Sequence, residues 1–218
     1  MSVSKKLVIA VVLCAGLAVF SFGETMYGLA AGYYRNSSQF TEENFGRELT
    51  GLNINFSFHH FPGKMPLGFF SQTTFGTFNS GYEWSGDQNM RSMDSESISD
   101  VRICFAPSFK FQLGPKVRIP VSLGPAFSMY WEKGWQRDGR NTFYEAFNLG
   151  ILSDVSFIFN PSRWFFFRPG LSVGWDFLHS ERGEMNAYYR TVRHNRPERE
   201  PYSAISLSLY LGIGIRLE

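Results

Sequence analysis

From Ile205 to the end the chain alternates without interruption. Ile205, Leu207, Leu209, Leu211, Ile213, Ile215 and Leu217 occupy the odd positions, and Ser206, Ser208, Tyr210, Gly212, Gly214, Arg216 and Glu218 the even ones. A period of two places every aliphatic on one face of a β-strand, whereas a helix would scatter them around its circumference. Strands of soluble proteins usually run about 5–6 residues, and crossing a bilayer at a tilt takes about 9–11. A strand this long with one wholly apolar face points to a fold in which that face meets hydrocarbon.

The same rhythm recurs upstream. Leu52, Ile54, Phe56 and Phe58 alternate with Asn53, Asn55, Ser57 and His59. Further segments run through Val101–Leu113, Val117–Tyr130, Phe147–Phe159 and Phe165–Phe177, with weaker ones at Met26–Arg35 and Leu67–Phe78. With Ile205–Glu218 these make eight strands. Pro107, Pro120, Pro125 and Pro169 fall inside them, and because proline cannot donate to a ladder, bulges or wide pairs are expected there. Composition agrees: aromatics make up 17% of the chain, while mean hydropathy is only −0.17, which excludes a protein of many helical spans.

The second face of the strands is rich in Ser, Gly, Asn and Thr and carries Arg102, Lys110, Arg118, Asp154, Arg168, Asp176 and Arg216. A soluble barrel would turn a charged face to water. Here the sparse charges suit a narrow interior where opposite signs pair, since each Arg or Lys in mid-bilayer costs about 2–4 kcal/mol. Connections alternate in length. His60–Pro66, Gly114–Lys116 and Asn160–Trp164 are short and carry Pro-Gly, Gly-Pro and Asn-Pro turn signals. Asn36–Arg47, Asn79–Ser97, Trp131–Asn141 and Ser180–Tyr202 are long. This is the pattern of periplasmic turns and extracellular loops. Phe58, Phe61, Phe111, Phe159, Trp164 and Phe165 near the turns, and Tyr33, Tyr34, Tyr130, Trp131, Trp175 and Phe177 near the loops, are expected to form two aromatic girdles.

Residues 1–23 read as a secretory signal. Lys5-Lys6 forms a basic n-region, Leu7–Phe20 an apolar core, and Ser21-Phe22-Gly23 a small-residue cleavage site before Glu24. Cys14 leaves with this segment, and Leu13 before it argues against lipidation. Cys104 then remains as a lone thiol, without an internal disulfide. Removing Lys5 and Lys6 from the 21 basic residues balances the 19 acidic ones, so no nucleic-acid partner is suggested. The domain expected is 24–218: all-β, a transmembrane eight-stranded antiparallel up-and-down β-barrel with both termini periplasmic.

This plan of signal, eight amphipathic strands, three tight turns and four longer loops resembles the small OmpX/OmpW-type outer-membrane barrels over nearly the whole mature chain. The resemblance implies residence in a bacterial outer membrane, lipid as the surrounding partner, and delivery by the barrel-assembly machinery. Such barrels usually end in an aromatic residue, where this chain has Arg216-Leu217-Glu218. From the OmpW side it also implies a narrow channel for small hydrophobic solutes.

Eight strands close a barrel whose interior side chains just fill, so the lumen charges are expected to form an ion-paired plug. No catalytic residues, metal ligands or cofactor are expected. His179, Ser180 and Glu181 raise a lipid A esterase, but neighbours on a strand face opposite ways, and a nucleophile must reach its base. His59-His60 reads as interfacial. Function is expected in the loops, which carry it on rigid scaffolds. Tyr188, Tyr189, Arg190, Arg193, Arg196 and Arg199 are candidates for a lipopolysaccharide or host polyanion, in a surface-adhesion or envelope-structural role.

Overall fold

The alternation becomes a closed sheet. The computed structural model describes residues 23–40, 45–85, 91–92, 95–135, 141–187, 190–194 and 202–217; the expected signal, apart from Gly23, lies outside them. Among the described residues eight long strands follow one another: β1 (Gly23–Phe40), β2 (Phe45–Pro62), β3 (Leu67–Ser85), β4 (Ser95–Gln112), β5 (Val117–Trp135), β6 (Asn141–Ser156), β7 (Phe165–Ala187) and β8 (Tyr202–Leu217). Each pairs antiparallel with its neighbours in sequence. β8 returns to pair with β1 from Thr25↔Leu217 to Phe40↔Tyr202, which leaves no open edge. Two-residue and five-residue strands extend the hairpins at Arg91–Ser92 and Arg190–His194, and Ile158–Phe159 prolongs β6.

The pairing registers set the barrel's geometry. The path Gly28, Ser57, Gln72, Cys104, Ala126, Gly150, Asp176, Ala204 comes back to β1 at Ser38, ten residues beyond its start. A shear of ten over eight strands tilts them by about 40° and leaves an interior only wide enough for side chains. β1 has 18 residues, so its contour is about 60 Å and its axial reach about 45 Å. The hydrocarbon band needs only about 25 Å.

Parity decides what faces where. On β8, Ile205, Leu209, Leu211, Ile213 and Ile215 are 49–67% exposed, while Ser206, Ser208 and Tyr210 are 3–5% exposed. The apolar set is therefore outside, where a membrane covers it. The three short turns also form as expected. Gly63 (φ 55°) and Gly114 (φ 87°) hold left-handed backbone in the first two, a conformation open to glycine without steric cost.

Four expectations need correction. First, the long connections are mostly strand. β1 and β2 reach Phe40 and Phe45, and β5 and β6 reach Trp135 and Asn141. Beyond the bilayer the outer face no longer needs apolar residues, so the sequence rhythm fades while the hydrogen-bond ladder continues. Second, the prolines cause no bulges. Instead the ladder lapses beside Pro107 and Pro125, between Cys104↔Ala126 and Ser108↔Ser122, and opposite Pro169, between Ser156↔Gly170 and Phe159↔Phe167, and resumes in the same register each time; the register shifts lie at Thr50/Gly51, Ser95/Ser97 and Leu149/Gly150. Pro107, Pro125 and Pro169 point outward, where their rings add to the apolar belt. Third, Phe61, Tyr34 and Tyr130 leave the girdles and point inward, the first two at 0% and 2% exposure and Tyr130 with its hydroxyl on Glu132, because they sit on lumen-facing parity. Fourth, the interior is not wholly polar. Met26, Phe61, Ile158 and Phe166 form an apolar layer near the turns, and Phe70, Cys104, Ala106, Ala126 and Leu152 form another.

Replacing Leu209, half exposed on the belt, with Arg should cost about 2–4 kcal/mol of folding free energy. Denaturant titration in lipid vesicles measures it; Ser208→Arg, directed into the filled lumen, is expected to prevent closure.

Candidate functional site

Short and long strands of one tilted sheet bring distant charges together across the lumen, and they do so in four tiers. Nearest the turns, the Glu24 carboxylate meets three cations: Lys110 Nζ at 2.5 Å, Arg118 Nε at 3.0 Å and Arg216 Nε at 2.7 Å. One tier up, Arg168 Nη2 donates to Asp154 Oδ1 at 2.8 Å and Nη1 donates to Ser57 Oγ. The second Asp154 oxygen accepts from Tyr210 Oη at 2.6 Å and Ser172 Oγ at 2.7 Å. The Arg168 guanidinium also lies 4.9 Å from the centre of the Tyr210 ring.

The third tier joins Arg102 to Asp176 at 2.5 Å and to the Ser206 hydroxyl. Beside it, Tyr34 Oη donates to Asp100 Oδ2 at 2.6 Å. Gly174 makes this tier possible: a Cβ there would collide with the Arg102 guanidinium and Ser206 Oγ. The fourth tier, in the strand extensions, pairs Arg47 Nη2 with Glu132 Oε2 at 2.7 Å. Hydrogen-bonded pairing is what makes burial of these ions tolerable.

Above the third tier lies a small open vestibule with about 30 Å³ of room for water. Asn36, Arg47, Asp100, Tyr130, Asn148 and His179 line it. Ser128, also in its wall, donates to Asp176 at 3.5 Å and so ties the vestibule to the Arg102–Asp176 pair. His179 reaches this space because the irregularity at Leu149/Gly150 leaves Phe177 without a partner on β6. Both Phe177 and Leu178 then face outward, and parity is inverted above them. His179 Nδ1 lies 2.6 Å from Asn148 Oδ1, and Asn148 Nδ2 donates to Ser128 Oγ at 3.0 Å. Ser180 is exposed on the other face, so no nucleophile–base pair forms with it.

All seven charged residues expected in the lumen are brought into these tiers. Glu24, Arg47, Asp100 and Glu132 complete them and are not singled out by the sequence pattern. Asp100 had a usable signal, since it shares parity with Arg102; Arg47 and Glu132 lie where the apolar rhythm has stopped. His59 is not interfacial. It is 1% exposed in the lumen, its ring 4.7 Å from that of Phe70, while His60 Nδ1 lies 3.0 Å from Thr25 Oγ1. Among the loop candidates, Arg190 and Arg193 sit on the strand Arg190–His194, paired with Ala187 and Glu184. Tyr188, Tyr189, Arg196 and Arg199 lie outside the described residues.

A closed eight-stranded sheet, apolar outside and ion-paired within, now has its parallels among solved structures. A major outer membrane protein from Thermus thermophilus aligns with a TM-score of 0.57 at 12% identity, over 89% of this chain and 99% of that one. OprG from Pseudomonas aeruginosa aligns at 0.54 and 8% identity, over 91% and 97%. Neisserial surface protein A aligns at 0.51 and 11% identity, over 87% and 96%. The fold is that of a small outer-membrane β-barrel. No protein-family model matches the sequence, and no curated protein does. The apolar belt of this outer-membrane barrel, together with its fold, places it in the bacterial outer membrane.

Replacing Asp154 alone with Leu strands the Arg168 cation inside the barrel and should destabilise it by about 3–5 kcal/mol. The double variant Asp154→Leu/Arg168→Leu is expected to recover much of that loss, read as the denaturation midpoint in vesicles.

Proposed function

We propose that this protein is a non-enzymatic surface barrel of the outer membrane that acts through its long hairpins, with the lumen serving as a sealed support. The observation that carries this reading is the run of charge tiers across the lumen. A solute passing along the axis would have to separate Arg102 from Asp176 and Arg168 from Asp154, each pair 3% exposed or less. The channel for small hydrophobic solutes implied by OmpW-type barrels is therefore the less favoured alternative. Reconstituted in planar bilayers, the protein is expected to give no discrete conductance steps; steps abolished by Asp176→Asn would reverse this reading.

The hairpins supply the working surface. A strand reach of about 45 Å against a hydrocarbon band of about 25 Å leaves about 20 Å of ribbon beyond the bilayer. β7, with 23 residues, leads into Arg190–His194 and the arginines that follow. Arginine recognises phosphate and sulfate groups in bidentate fashion, so the partner proposed for this hairpin is a polyanion such as lipopolysaccharide or a host-surface polysaccharide. Exchanging Arg190, Arg193, Arg196 and Arg199 for Ser should lower retention on immobilised heparin and adhesion of expressing cells at least tenfold. Unchanged adhesion with normal surface expression contradicts the binding role and leaves an envelope-structural one.

A further inference from the structure

The opposite rim carries charge of its own. Each tight turn presents one exposed cation: Lys64 in the first, Lys116 in the second and Arg163 in the third. The stretches around them, 60–67, 110–118 and 157–166, contain no Asp or Glu. Among the described residues the carboxylate at this rim is that of Glu24, and it is enclosed by Lys110, Arg118 and Arg216. The turn segments themselves are thus purely basic. The long-hairpin end differs, since its charges are mixed, as in Arg35–Glu48 at 2.8 Å and Arg47–Glu132 at 2.7 Å.

Each turn cation also stands beside a large exposed apolar side chain. Met65 (61%) follows Lys64, Leu113 (60%) shares the second turn with Lys116, and Trp164 (58%) follows Arg163, whose guanidinium lies 5.5 Å from the Trp164 ring centre. An apolar anchor next to a basic head is the arrangement that seats a residue at the level of lipid headgroups.

We propose that the three turns form a basic ring that recruits anionic phospholipid headgroups from the leaflet they face. Charge complementarity favours a phosphate-bearing lipid surface, and each Lys or Arg at such a surface is worth about a fivefold preference. The ring lies at the other end of the barrel from the arginine hairpin, so this inference does not depend on the polyanion reading.

Trp164 is the reporter, because the other tryptophans, at 84, 131, 135 and 175, lie further up their strands. The full barrel is reconstituted in phosphatidylcholine vesicles with a minority of phosphatidylglycerol, and brominated acyl chains are carried by one lipid or the other at equal mole fraction. The Trp164 component is the difference between wild type and Trp164→Phe. We expect brominated phosphatidylglycerol to quench it several-fold more than brominated phosphatidylcholine. The preference should fall with added salt and disappear in Lys64→Gln/Lys116→Gln/Arg163→Gln, whose folding is checked by its heat-modifiable gel mobility. Equal quenching in the wild type, a preference indifferent to salt, or one that survives the triple change overturns the proposal. So does equal quenching combined with ring-dependent co-sedimentation with peptidoglycan, which would make the cell wall the partner. The salt titration uses unmodified residues and therefore decides the matter even if the triple variant fails to fold.

Discussion

Hydrocarbon offers a backbone N–H or C=O no water to bond, so every polar backbone group inside a bilayer must find a partner within the protein. For a chain of alternating residues the solution is a sheet without edges. β8 closes on β1 through a continuous register, and the closed ladder then imposes a tilt, a shear and a lumen width. Those in turn dictate which side chains meet. The pairing of Arg168 on β7 with Asp154 on β6 and Ser57 on β2 follows from the stagger of the strands; no local sequence feature specifies it.

The lumen resolves a conflict between size and charge. An interior only as wide as its side chains excludes bulk water, and an isolated ion there would be costly. The chain meets this with tiers in which guanidinium, carboxylate and hydroxyl groups satisfy one another, separated by apolar layers such as Met26, Phe61, Ile158 and Phe166. Glycines on the lumen face, Gly174 beside Arg102 above all, supply the space into which the large cations fold. The result is a packed core turned inside out, with salt bridges at the axis and leucines at the perimeter.

What could be read from the sequence follows from the same geometry. Strand number, the inward face and seven of the lumen charges are legible because parity is local and strict wherever lipid demands an apolar partner residue. Who pairs with whom is not legible, since that needs the shear. Arg47 and Glu132 escape because they lie above the bilayer, where the outer face is free to be polar. Phe61, Tyr34 and Tyr130 mislead because the lumen takes up aromatic residues that hydropathy assigns to lipid: Phe61 in an apolar layer, Tyr34 beside Leu49 and Phe78 with its hydroxyl on Asp100, and Tyr130 with its hydroxyl on Glu132. His179 escapes for a different reason: the irregularity at Phe177 flips parity once, and nothing in the residues around it announces the flip.

Glu24 and Arg216 belong to the opposite ends of the described chain, yet they meet at 2.7 Å across the seam between β1 and β8. Such a contact has no hairpin behind it and the greatest loop entropy against it. It is made only across the line where the sheet closes on itself. The acid that gathers Lys110 and Arg118 thus doubles as a latch, engaged when the first strand finds the last.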